Sequence, residues 1–299
     1  MLETSLRPRG PYSLRTSTRL SSDATRTVAD GCYAATIATP AGLERVQALQ
    51  RPDGAIDVRA ESEAGVEHVR FALGLEDDHT EFLRRFARDP LIGETTRRLR
   101  GLRPLRTATV AHALLRAVAG QLIRGRDARA IERRVIRRAT PSLQGRHAAP
   151  TGADLARFSP AELRDLGLGA RRGAALVRLC RSFDLERLKE LPTAAAADRL
   201  ERERGLGPWS VGVVCLQGLG RYERGLARDL GLVKLAAALW GRWVEAEETD
   251  VLLEPYGEWA GLASVYLLAG HHAGLVGLRH EDRHSRHRQD RRVAARRAA

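Results

Sequence analysis

The chain has 299 residues, of which 43% are apolar, and its formal net charge is +13. The apolar content allows a sizeable core and excludes a disordered chain. A globular protein with so large a positive charge typically binds nucleic acid. No apolar run reaches the roughly 18 residues of a membrane span, and the three cysteines share no metal-ligand spacing. We therefore expect a cytoplasmic protein with no cofactor.

Residues 1–75 indicate a small β-rich domain. The run from Cys32 to Thr39 is typical of a strand. The segments 46–49 and 55–58 flank Arg51-Pro52-Asp53-Gly54, which predicts a hairpin closed by a Pro-Asp-Gly turn.

From about residue 76 the apolar spacing becomes helical, which predicts a helical core over 76–275. Thr109 is a candidate N-cap, and the apolar face that runs to Leu122 predicts a helix over 109–125. Ser159 and Glu162 have the spacing of a capping box. Further helices are predicted over 127–138, 170–182, 194–204, 208–219, 229–240 and 257–270. The arginine-rich segment 276–299 predicts a disordered basic tail.

Two predicted helices meet at Gly205-Leu206-Gly207, and Pro208-Trp209-Ser210 opens the second one. Glycines allow a tight turn and close approach of the backbone to another surface. Free N–H groups at the start of the second helix are a place for a phosphate oxygen. A plain helix corner with a glycine cap explains the same residues, so this motif alone leaves both interpretations open.

Asp229 lies about twenty residues after Trp209, at the start of another apolar helix. Taken alone, it is an ordinary N-cap. Its place after the hairpin is what makes it a candidate functional carboxylate, since a helix N-terminus favours a negative charge.

Together, the run Gly205–Ser210 and the run Arg228–Leu232 resemble the helix-hairpin-helix DNA glycosylase superfamily. Gly120-Gln121-Leu122 is similar to a Gly-Gln-Leu segment of that family. The branch that the chain most resembles is bacterial 3-methyladenine DNA glycosylase II. The resemblance implies a mainly α fold with an N-terminal α+β domain and a glycosylase core of two helical subdomains.

The resemblance also implies roles for individual residues. Asp229 would stabilise the sugar cation that forms as the N-glycosidic bond of a flipped base breaks, and would orient the attacking water. The base pocket would be lined by Trp209, Trp259 and Gln121. Leu122 would fill the gap that the flipped base leaves. The residues expected to contact DNA are Leu122, Gly205, Leu206, Gly207, Ser210 and Arg228, and the carbonyls of Gly205 and Gly207 could hold a monovalent cation.

Trp209 stands where relatives that also cut the DNA strand have a lysine. The two lysines of the chain, Lys189 and Lys234, lie elsewhere, so we expect hydrolysis without a lyase step. One departure from the family is Gly257, where an arginine usually follows the Pro-Tyr pair, and this puts part of the pocket in doubt.

The predicted function is excision of alkylated purines from damaged double-stranded DNA by a monomer in the bacterial nucleoid. Two alternatives stay open at this point. The same chemistry could act on oxidised or deaminated bases, because pocket shape decides the lesion. A damaged-DNA-binding module without activity would keep the hairpin, although Asp229 in register with it argues against this.

Overall fold

The computed structural model describes residues 1–18, 22–29 and 31–276. The basic tail predicted over 276–299 therefore lies outside the described residues, apart from Val276. In the part of the chain that is described, no helix is long and apolar enough to cross a bilayer.

The N-terminal region forms a five-stranded antiparallel sheet in the order β1-β5-β4-β3-β2. The predicted strand over 32–39 coincides with β3, and the predicted turn closes the β4–β5 hairpin, where Arg51 N donates to Ala55 O at 2.8 Å. One face of the sheet is covered by a helix, which gives this region a core of its own. The elements are β1 (Leu2–Leu6), α1 (Leu14–Ser17), β2 (Arg26–Ala29), β3 (Cys32–Thr39), β4 (Gly42–Gln50), β5 (Ile56–Ala60) and the covering helix α2 (Glu63–Ala72).

The rest of the described chain is mainly helical and encloses a second, larger core. Its elements are α3 (Thr80–Arg85), α4 (Gly93–Arg98), α5 (Val110–Gly120), α6 (Gly125–Ala139), the short hairpin β6 (Ser142–Leu143) and β7 (Arg146–His147), α7 (Gly152–Ala156), α8 (Pro160–Asp165), α9 (Ala170–Ser182), α10 (Thr193–Glu201), α11 (Pro208–Val213), α12 (Leu230–Trp240), α13 (Thr249–Leu253) and α14 (Ala260–His272). A π-helical turn, Val214–Leu219, continues α11, and 3₁₀ turns span Leu185–Glu190, Ala246–Glu248 and Glu254–Trp259.

Three predicted helices differ from the observed ones. The helix predicted over 109–125 begins after the predicted N-cap, Thr109, but α5 ends at Gly120 because the next residues leave helical geometry. The helix predicted over 208–219 changes from α to π hydrogen bonding after Val213. The helix predicted over 257–270 begins only at Ala260, because Gly257 adopts φ 52° and ψ −123°.

Helix α5 is the centre of the helical region. All of its residues except Arg116 and Gly120 are buried, and it packs against α6, α9, α11 and the π-helical turn. Its C-terminal end therefore has a fixed position relative to α11, and this end carries the predicted Gly-Gln-Leu segment to the surface.

A buried ion-pair network joins the sheet region to the helical core. The guanidinium of Arg116 donates to Asp23 Oδ2 at 2.6 Å and to Glu132 Oε1 at 2.8 Å, and His112 Nε2 lies 2.7 Å from Glu132 Oε1. The spacing of these two carboxylates and the imidazole could suit a metal ion, but the guanidinium lies between them. Burial opposes ionisation of Asp23, yet Arg26 and Arg116 outweigh it and hold its pKa well below the usual range.

Candidate active site

The turn between α10 and α11 is the predicted hairpin. Gly205 adopts φ +98°, which favours glycine, whereas Gly207 is extended with φ −99°. A Cβ on Gly207 would meet no atom within 4 Å, so nothing inside the protein requires glycine there. Pro208 is the first residue of α11. The N–H groups at this helix start have no acceptor within the helix and are available to a ligand.

Two residues expected to contact DNA have inward-facing side chains. Leu206 packs in the helical core, and Ser210 is only 2% exposed. Their side chains therefore cannot reach DNA in this conformation, and the predicted DNA contact of both residues is limited to the backbone. Only their backbone could take part, and the N–H of Leu206 already donates to Glu203 O at 3.0 Å.

Gln121 braces the hairpin. Its Nε2 donates to Gly205 O at 2.8 Å and to Ser210 Oγ at 3.0 Å. The place of Gln121 in the base pocket stays a prediction, and in this conformation its amide nitrogen is bonded to the turn. The Gly205 carbonyl, one of two that were expected to bind a monovalent cation, accepts one of these bonds.

Leu122 projects from the surface immediately after α5. Its backbone has φ +57°, a left-handed conformation that costs a residue with a side chain about 1–2 kcal/mol. Its side chain is fully exposed, so it does not extend the apolar face of α5. Arg172 Nη1 donates to Gln121 O at 2.8 Å and supports the turn from below.

Asp229 is the N-cap of α12, as predicted. Its Oδ1 accepts from Gly231 N at 2.7 Å and from Leu232 N at 3.3 Å, and its Oδ2 accepts from Trp209 Nε1 at 2.8 Å. The carboxylate is half-buried. Three N–H donors thus fix the direction of both oxygens, and one of these donors comes from the hairpin.

Trp209 connects the hairpin to the end of α5. A Cβ on Gly120 would lie 2.6 Å from Trp209 Cη2, so the indole ring rests directly on the glycine. The same ring donates its N–H to Asp229. Gly120, Trp209 and Asp229 are thus in contact one after another. A side chain at position 120 would collide with the indole, which explains why glycine precedes Gln121 and Leu122.

Arg228 precedes Asp229 and also has a left-handed backbone, with φ +66°. Its N–H donates to Thr249 Oγ1 at 2.7 Å, and its guanidinium lies 3.3 Å from Glu247 Oε1. Arg228 was expected to contact DNA, and its side chain is partly exposed but already paired. Thr249 was not predicted, because nothing in its local sequence links it to Asp229.

Trp259, the third predicted pocket residue, lies in a different aromatic cluster. Its ring is 5.8 Å from Phe82 and 6.4 Å from Tyr222, centroid to centroid. Among the described ring contacts of Trp259, none involves Trp209. The 3₁₀ turn before α14 directs the indole towards α3, and the place of Trp259 beside the base stays a prediction.

Neither lysine of the chain is placed to act in the role of the lysine that strand-cutting relatives have at the position of Trp209. Lys189 pairs with Glu186 at 2.7 Å. Lys234 is exposed on α12, five residues after Asp229 and so about 140° around the helix from it.

Comparison with known proteins places this fold among DNA glycosylases. No family model matches the chain. A DNA-3-methyladenine glycosylase from Bacillus subtilis (strain 168) is 26% identical over 215 residues, which are 68% of this chain and 70% of that protein. A 3-methyladenine DNA glycosylase from Archaeoglobus fulgidus has a similar structure, with a TM-score of 0.75 and 22% identity, over 90% of this chain and 98% of that one.

The apo 8-oxoguanine glycosylase/lyase of Clostridium acetobutylicum is also similar, with a TM-score of 0.72 and 18% identity, over 89% of this chain and 95% of that one. The chain therefore has the helix-hairpin-helix DNA glycosylase fold, with a mainly helical core behind a small N-terminal sheet. The fold expected from the sequence resemblance is therefore confirmed, and the Bacillus subtilis relative bears the name of the branch that the sequence resembles.

Proposed function

We propose that this protein is a base-excision repair glycosylase that hydrolyses the N-glycosidic bond of a flipped, alkylated purine such as 3-methyladenine. The observation that carries the proposal is the carboxylate of Asp229, held by three N–H donors at the start of α12 and bonded to the hairpin through Trp209. The named relatives in Bacillus subtilis and Archaeoglobus fulgidus support the lesion class.

The proposed reaction uses the site in three ways. The backbone N–H groups at Gly207 and Trp209 bind a phosphate of the duplex. Leu122 enters the base stack and fills the gap left by the flipped nucleotide. Asp229 faces the sugar, stabilises the positive charge that develops as the bond breaks, and orients the attacking water. The cationic alkylated base leaves as a neutral base with the bonding electron pair. The water forms the new C–O bond to the sugar, and its second proton passes to the solvent.

Several finer points belong to the same proposal. Trp209 also presents an aromatic face, which attracts a cationic alkylated base. The protein acts as a monomer on double-stranded DNA in the cytoplasm and needs no cofactor for this chemistry. Gly205 and Gly207 remain candidates for a monovalent cation at the hairpin.

The first prediction concerns Asp229. Asp229→Asn keeps the N-cap hydrogen bonds to α12 but removes the negative charge, so base release should fall by about 10²–10³-fold or more. DNA binding should persist. A release assay over duplexes with alkylated, oxidised and deaminated bases measures both activity and lesion choice. Near-normal turnover in the variant would overturn the assignment, and release of only oxidised or deaminated bases would replace the lesion class.

The second prediction concerns strand cleavage. We expect no lyase step, because Trp209 stands at the lysine position and Lys234 faces away from Asp229. Borohydride should trap no covalent complex between the protein and abasic or damaged DNA. An adduct that disappears in Lys234→Ala would show that the protein is bifunctional. The Clostridium acetobutylicum glycosylase/lyase shares the fold, so the fold alone does not decide this point.

A further inference from the structure

We propose that Thr249 and Ser264 are positioning residues for Asp229. Each is a fully buried hydroxyl that binds the backbone of the loop leading into α12. The inference deepens the proposed function and rests on it, because it assigns to these two residues the orientation of the carboxylate.

Thr249 anchors the residue directly before Asp229. Its Oγ1 accepts from Arg228 N at 2.7 Å and donates to Ala246 O at 2.7 Å. The hydroxyl thus links the loop before α12 to the 3₁₀ turn Ala246–Glu248 that precedes α13. A valine at this position would keep the shape and leave the Arg228 N–H without its acceptor.

Ser264 anchors the same loop two residues earlier. Its Oγ accepts from Leu226 N at 3.0 Å and donates to Ala260 O at 2.7 Å within α14. The loop is therefore tied at Leu226 and Arg228 to two different helices. Both anchors are long-range, and neither touches Asp229 itself.

The anchors are needed because the loop ends in a strained conformation. Arg228 is left-handed, which disfavours a residue with a side chain. Asp229 must then reach φ −65° and ψ 131° to cap α12 and accept from Trp209 at once. Without the Thr249 acceptor, a right-handed or extended Arg228 becomes preferable, and the carboxylate turns away from Trp209. Misplacement of a reacting group by about 1 Å can cost about 10²-fold in rate.

The test compares Thr249→Val, Thr249→Ser and Ser264→Ala in the full chain on an alkylated duplex. Thr249→Val should lower kcat by about 10–100-fold and leave KM within about twofold. Thr249→Ser should restore most of kcat because it restores the acceptor, and Ser264→Ala should show a smaller loss of the same kind. The matched control is Thr36→Val on β3, a buried threonine whose Oγ1 has no partner among the described residues.

A second variant tests the strain directly. Glycine adopts the left-handed region freely, so Thr249→Val should cost less kcat in an Arg228→Gly background than in the wild-type protein. Equal losses in both backgrounds would overturn the proposal. So would a Thr249→Val protein with normal kcat, or one whose loss is not reversed by serine. If Thr249→Val does not fold, Ser264→Ala, alone and in the Arg228→Gly background, decides by the same criteria.

A readout without catalysis separates this proposal from the proposed function. The indole N–H resonance of Trp209, assigned with Trp209→Phe, reports its bond to Asp229. In Thr249→Val it should shift towards its position in Asp229→Asn, while Thr36→Val leaves it in place. An unmoved resonance would overturn the positioning role. If the wild-type protein releases no base from any lesion, the proposed function fails, and the resonance still tests the anchors.

Discussion

The two turns that border the candidate site share one feature and differ in everything around it. Leu122 and Arg228 both have a left-handed backbone without being glycine. The turn at Arg228 is bonded from inside by Thr249, and Asp229 after it is held by three N–H donors. At the turn of Leu122, the hydrogen bonds to the rest of the protein are made by Gln121, and the leucine side chain itself is fully exposed to solvent.

The difference shows where each strain is compensated. At Arg228 the compensating contacts are all within the protein, so the carboxylate is in place before any ligand arrives. At Leu122 an apolar side chain is held in water on an unfavourable backbone, and no described residue covers it. We infer that the catalytic half of the site is preorganised, whereas the inserting half is completed by DNA.

Among the variants that compare the two turns, Trp209→Phe should have the largest effect, because it acts on the preorganised half. Phenylalanine keeps an aromatic ring at the start of α11 but removes the N–H donor to Asp229 and the outer indole atoms that contact Gly120. Hydrogen bonds to charged groups contribute about 1.5–3 kcal/mol, so kcat should fall by about 10–100-fold while the protein stays folded. Single-turnover base release measures this. An unchanged kcat would mean that the bond to Trp209 does not orient the carboxylate.

Gly120→Ala should affect both turns, because Gly120 lies beside the Leu122 turn and contacts Trp209. Its effect on kcat should be intermediate. The new Cβ would lie 2.6 Å from the Trp209 ring, so the indole must move and strain its bond to Asp229. Overpacking of this kind typically costs about 1–3 kcal/mol of stability, and we expect about a tenfold loss of kcat as well. Thermal unfolding and base release should be measured together. Gly152→Ala is a suitable control, since a Cβ there would have Leu185 Cδ1 as its nearest contact, at 3.9 Å. Wild-type stability and kcat in Gly120→Ala would show that the two turns are not coupled through Trp209.

Leu122→Ala should have the smallest effect, confined to the half that DNA completes. Because the side chain is fully exposed, the melting temperature of the free protein should not change. Alanine lacks three carbons of leucine, and each fully buried CH₂ contributes about 0.8 kcal/mol. With about half of this surface buried by DNA, kcat/KM on duplex DNA should fall about five- to tenfold. Activity on a single-stranded lesion should change less. A lower melting temperature would instead indicate that Leu122 packs on the protein.

Local signals in the sequence predicted the parts of the site that depend on local chemistry. The strand over 32–39, the capping box at Ser159 and Glu162, and Asp229 as an N-cap are all observed. Each rests on residues within a few positions of one another, where alternation or a side-chain oxygen determines the backbone.

The features that were missed depend on contacts across the fold. The apolar spacing of Leu122 fits a helix, but α5 ends at Gly120, where the Trp209 ring, from another part of the chain, rests on the backbone. Thr249 lies twenty residues after Asp229, and only packing brings its hydroxyl to Arg228. The helix predicted from residue 257 begins only at Ala260, because Gly257, with φ 52°, delays the start of α14.

The ion pairs of Arg116 link the sheet region electrostatically to the proposed catalytic half of the site. Arg116 belongs to α5, four residues before the glycine on which Trp209 rests, and one of its two carboxylate partners, Asp23, lies just before β2 in the N-terminal region. A chain shortened to the helical region would remove one of these two carboxylates from the largely buried guanidinium. Loss of one partner from a buried ion pair is destabilising, so the change would act on the helix that ends at Gly120. We therefore expect that the boundary predicted near residue 75 does not separate two independent folding units, since the helical core itself includes Ala24.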